Sequence, residues 1–99
     1  MVGPDEELQF EWDADKAAAN LTKHGVSFLT AAETFADAIV ERIDDREDYG
    51  EARFVGLGRV GLDVYRIVYT WRGARRVRII SAQKAGKHER DIYYRQTFA

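Results

Sequence analysis

The second half of the chain narrows the fold most. Residues 52–59, 63–72 and 75–83 are three strand-like stretches, separated by Val60-Gly61-Leu62 and Arg72-Gly73-Ala74. Links this short that contain glycine close β-hairpins, because glycine takes the positive-φ positions of a tight turn without steric cost. Strands joined by hairpins run antiparallel. Alternation then sorts their side chains. Tyr65, Ile67, Tyr69 and Trp71 face one way; Val64, Arg66, Val68, Thr70 and Arg72 face the other. In the next strand Val77, Ile79 and Ser81 oppose Arg76, Arg78, Ile80 and Ala82. The more apolar sets are expected to meet helices, leaving Arg66, Arg76 and Arg78 together on an uncovered face. Arginines at adjacent positions of a sheet repel, so stability does not explain them.

The first half reads as a strand, a helical hairpin and another strand. "LQFEW" alternates apolar and polar residues. Asp13 is a good N-cap for a helix starting at Ala14. On its wheel Ala14, Ala17, Ala18 and Leu21 share one face, and Lys16, Asn20 and Lys23 the opposite, polar one. Gly25 supplies a left-handed stop, and Ser27 caps a second helix over about Phe28 to Ala36. "AIVERI" is a strand, "DDREDYGE" a loop, and "KHERDIYYR" a closing helix. The expected architecture is α+β: one small domain over residues 1–99, an antiparallel sheet with an N-terminal helical hairpin and a C-terminal helix, the helices on one face. Residues 1–7 are expected to be a flexible tail.

Several functions are excluded by composition. Without cysteine there are no disulfides, thiolate nucleophiles or cysteine zinc sites. The apolar runs are too short to cross a membrane. The acidic start lacks the basic and apolar regions of a signal peptide, so a cytoplasmic location is expected. The net charge of −2 hides a division. Residues 1–51 carry 4 Lys/Arg against 14 Asp/Glu, and residues 52–99 carry 11 against 3, nine of the eleven being arginine. Such asymmetry suits a polyanion partner, and arginine's planar fork suits phosphate. The alternative is that the two halves neutralise each other across one surface.

The acidic loop fits no EF-hand, and the plainer reading is a solvated loop with Arg46 paired to a carboxylate. "GLGRVG" lies between strands and has no Gly-Lys-Ser/Thr, so it is no phosphate loop. Two histidines cannot build a histidine zinc site. The imidazole of His24 can act as an acid or base, but a helix-terminal histidine before a glycine more often serves as a cap. What remains is phosphate chemistry without metal or cofactor. An RNA 2′-hydroxyl can be the nucleophile while the protein aligns it and stabilises phosphoryl charge. The catalytic candidates are Arg53, Arg66, Tyr69, Arg78 and Lys84, with His24 as an outside candidate. Arg59, Arg72 and Arg76 are expected to bind RNA. The parity of Tyr69 argues instead for the core, and lysine or tyrosine would need a pKa lowered from about 10 to act as base.

"FEWD", Lys16 with "NLTKHGV", Phe28 with "AAETFAD", "DDREDYGEARF", "GLGR", "VYT" and "RIISAQKA…ER" together resemble the BrnT toxins of bacterial type II toxin–antitoxin systems, over about residues 8–95. The resemblance implies a RelE-like ribonuclease toxin that inhibits translation by cutting RNA without metal. It also implies neutralisation by a BrnA antitoxin, operator DNA contacted only through that antitoxin, and a hetero-tetramer of two toxins and two antitoxins. Gly86 departs from the family pattern, where Thr or Ser is expected to cap the last helix.

Overall fold

The computed structural model describes residues 7–98, so most of the expected tail lies outside the described residues. The elements run β1 (Gln9–Glu11), α1 (Ala14–His24), α2 (Phe28–Glu33) with a 3-10 turn at Thr34–Ala36, β2 (Val40–Asp44), β3 (Arg53–Val60), β4 (Asp63–Trp71), β5 (Arg76–Lys84) and α3 (Lys87–Thr97).

The helical joint forms as its residues dictate. The Asp13 carboxylate accepts from the Lys16 N–H at 2.9 Å, and Ser27 Oγ accepts from the Thr30 N–H at 3.1 Å. Gly25 closes α1 at φ 70°, with its N–H on the Leu21 carbonyl. At the far end, Gly86 has no side chain to cap α3, and the Glu89 carboxylate accepts its N–H at 3.0 Å instead.

The five strands lie in the order β1-β5-β4-β3-β2. From β2 to β5 they form the expected antiparallel meander. β1 departs from it, pairing parallel with β5 in the register Gln9↔Arg76, Phe10↔Val77, Glu11↔Arg78. The sheet is therefore mixed. This pairing puts Phe10 on the core face beside Val77 and a glutamate beside an arginine.

The helices also depart from expectation by covering both faces. Val26, Phe28 and Ala31 from the hairpin bury against Tyr65, Ile67, Tyr69, Val77 and Ile79. Tyr93 of α3 buries against Leu57 and Val64, which point the other way. Gly56 and Gly58 make room on the hairpin face. A Cβ at Gly56 would come within 2.8 Å of the Tyr69 ring, and one at Gly58 within 2.5 Å of Ile39 and 2.7 Å of Thr34.

Two further corrections follow from how α1 meets β5. The register of β4 on β5 slips between Val68↔Ser81 and Tyr69↔Ile79, leaving Ile80 as an extra residue in a β-bulge. Strict alternation fails beyond it, so Ala82 turns into the core. The inward stripe of α1 is also rotated from the expected one. Asn20 is buried, whereas Leu21 is 51% exposed. The Asn20 amide donates to the carbonyls of Ala82 (2.8 Å) and Val26 (3.0 Å), and its oxygen accepts from the Ala82 N–H (3.1 Å). Asn20→Ala would strand those backbone groups inside the protein. It is expected to lower the unfolding free energy by roughly 3 kcal/mol in urea denaturation; a loss below about 1 kcal/mol would mean water replaces the amide.

Candidate nucleic-acid interface

The register places Arg53, Arg66, Arg76 and Arg78 on one sheet face. Leu57 stands opposite Arg66, Thr70 opposite Arg78, and Asp44 opposite Arg53. Arg72, just past β4, joins them through its N–H on the Arg76 carbonyl. α3 covers only the Leu57–Val64 end of this face.

Three glutamates hold these five arginines. Glu11 lies 2.8 Å from Arg78 and 3.8 Å from Arg76. Glu51 lies 3.4 Å from Arg72 and 3.8 Å from Arg53. Glu89 of α3 lies 3.4 Å from Arg66. Most of these pairs are long and partly exposed, a kind that contributes no more than about 1 kcal/mol. They aim the guanidinium groups at little cost to a competing phosphate. Arg53 is further placed over the Tyr49 ring at 4.0 Å, and its buried Nε has no hydrogen-bond partner among the described residues.

The loop at residues 45–52 is anchored at its start. Asp44 is 3% exposed and takes a two-pronged bond from Arg46, 2.7 Å on each oxygen. The Arg46 guanidinium holds the Asp44 pKa down, from 3.8 to about 2. This is the carboxylate pairing expected of a solvated loop. Among the described residues, no three His, Asp or Glu side chains converge as a metal site would need.

The remaining candidates lie elsewhere. Tyr69 is fully buried on the hairpin face, its hydroxyl donating to Glu41, which also accepts from Trp71 Nε1 at 3.1 Å. Burial and the Glu41 charge raise its pKa well above the ordinary tyrosine value, the opposite of what a base at neutral pH requires. Lys84 stands opposite Tyr65, on the hairpin face, near Asp63 at 3.9 Å. His24 ends α1, also on the hairpin side. Arg59 is on the arginine face but at its covered end, 3.9 Å from Asp37 and over the Phe98 ring.

Sequence reasoning missed a groove beside the arginines. It has a volume of about 530 Å³ and a floor of Val40, Val55, Leu57 and Ile92. Arg42, His88 and Gln96 stand around it. The i, i+4 spacing of His88, Ile92 and Gln96 was the available signal, since it puts all three on one side of α3.

Fold and charge together define a class, a small α+β protein with one arginine-bearing sheet face. The family model described as "Ribonuclease toxin, BrnT, of type II toxin-antitoxin system" matches residues 12–89, and the chain belongs to that family. Membership in a type II system implies an antitoxin partner. Among solved structures, the ribonuclease toxin BrnT of Brucella abortus matches with a TM-score of 0.61 and 22% identity, covering 81% of this chain and 99% of that one. At that identity the likeness supports the shared fold. No curated protein gives a significant match. No helix among the described residues is long and apolar enough to cross a membrane.

The Asp44 pair makes stability depend on acid in a defined direction. Its folded pKa is depressed, so its contribution is full above about pH 4 and is lost as pH falls toward about 2. Urea midpoints of the wild type and Asp44→Asn are expected to differ at pH 6 and to converge between pH 4 and 2. A constant gap across that range would sink this assignment.

Proposed function

We propose that this chain is a metal-independent endoribonuclease whose active surface is the arginine-bearing sheet face. The observation that carries the reading is the gathering of Arg53, Arg66, Arg72, Arg76 and Arg78 on one side of the sheet, held by weak and displaceable carboxylates. The RNA 2′-hydroxyl gives its proton to solvent as its oxygen attacks the adjacent phosphorus. The bond to the 5′-oxygen breaks as that oxygen takes a proton from solvent, leaving a 2′,3′-cyclic phosphate and a 5′-hydroxyl. Charge grows on the non-bridging oxygens along this path. Arg66 and Arg78 are the donors that meet it, because fixed guanidinium groups stabilise developing charge without rearranging. Arg53, Arg72 and Arg76 bind the neighbouring phosphates.

In the cell the reading extends to a RelE-like toxin that stops translation in the cytoplasm by cutting RNA. A BrnA-type antitoxin would neutralise it in a 2:2 complex that reaches operator DNA through the antitoxin. Such a partner needs acidic side chains to replace RNA phosphates on the arginine face.

The purified chain is expected to cut RNA equally well with and without EDTA. Arg66→Ala and Arg78→Ala, each confirmed as folded by circular dichroism, are expected to lower kcat about 10²–10³-fold, as the loss of one charge-stabilising donor does. Full activity in both variants would refute the site, and activity abolished by EDTA would refute the metal-free mechanism.

A further inference from the structure

We infer that the groove between α3 and the β2–β3 edge is a nucleobase subsite, holding the base next to the phosphate bound by Arg66. This deepens the ribonuclease reading and rests on it. The first support is continuity. Leu57, in the groove floor, is the direct cross-strand neighbour of Arg66, and the Glu89 that pairs with Arg66 lies on the groove wall. Cross-strand neighbours stand about 5 Å apart, so base and phosphate of one nucleotide can span the two sites.

The second support is the chemistry of the lining. The floor is aliphatic, as suits the face of an unstacked base. Glu89 already serves Arg66 and the Gly86 N–H, and Glu41 serves Tyr69 and Trp71. Arg42, His88 and Gln96 make no side-chain hydrogen bond or ion pair among the described residues. The groove therefore offers uncommitted guanidinium, imidazole and amide groups around an apolar floor. Arginine and an amide can read donor and acceptor atoms on a base edge, while an imidazole ring can stack on its face. The positive charge of Arg42 and the adjoining arginines suits the phosphodiester chain that carries the base.

A variant series reads this out. Short RNAs of defined sequence are cut by the wild-type chain, by Ile92→Trp, which fills the groove, and by Gln96→Ala, which removes an edge contact at an exposed position. Both variants are expected to redistribute the cut sites and raise KM about tenfold, with kcat on the best substrate nearly unchanged. His88→Phe is expected to keep the wild-type KM, and His88→Ala to raise it. Unchanged cut sites and KM in Ile92→Trp and Gln96→Ala, with the wild type active, would overturn the subsite while leaving the ribonuclease reading intact. So would variants that cut normally but escape the antitoxin, since that assigns the groove to the protein partner. A wild-type chain that cuts no RNA would overturn both readings.

Discussion

The fold depends on one buried amide. β5 has β1 as its outer neighbour only along Arg76–Arg78. Past that point Ala82 has an N–H and a carbonyl with no strand beside them among the described residues, inside the protein. Asn20 supplies both missing partners from the side of α1, so a single side chain takes over where β1 ends. Its third bond, to the Val26 carbonyl, ties the joint between α1 and α2 to the same place. An asparagine can do this because its amide carries a donor pair and an acceptor in one plane, matching the backbone pattern of a strand. With α1 held there, Phe28 and Ala31 of α2 reach the sheet and the core closes.

Charge is arranged with similar economy. The acidic and basic halves of the chain meet: Glu11 and Glu51 from the first half face Arg53, Arg72, Arg76 and Arg78 from the second. The reading that the halves neutralise each other and the reading that the basic half serves a polyanion are thus compatible. Weak pairing keeps adjacent guanidinium groups from repelling one another in the free protein, and the same weakness lets phosphate displace the carboxylates.

What the sequence disclosed follows from how local each feature is. The hairpins, the caps at Asp13 and Ser27 and the stop at Gly25 are set by neighbouring residues, and all are in place. The shared face of Arg66, Arg76 and Arg78 is also local, since the bulge comes after them. The parallel pairing of β1 was not legible, because it joins residues 67 positions apart. Nor was the burial of Asn20, where a polar residue faces inward for partners that appear only in the folded chain. The groove was illegible for the same reason: its lining comes from β2, β3 and α3, which are distant in sequence.

Ile80 shows how much one residue can decide. By simple parity Lys84 would stand with Arg76 and Arg78, and Ala82 would point away from α1. The single inserted position reverses both, sending Lys84 to the side of Tyr65 and Ala82 toward Asn20. The basic residues of one strand are thereby dealt to two different surfaces, so the arginine face is purely guanidinium while the ammonium sits apart. A count of residues between charges, rather than their identity, determines which ions this strand can present to the same ligand.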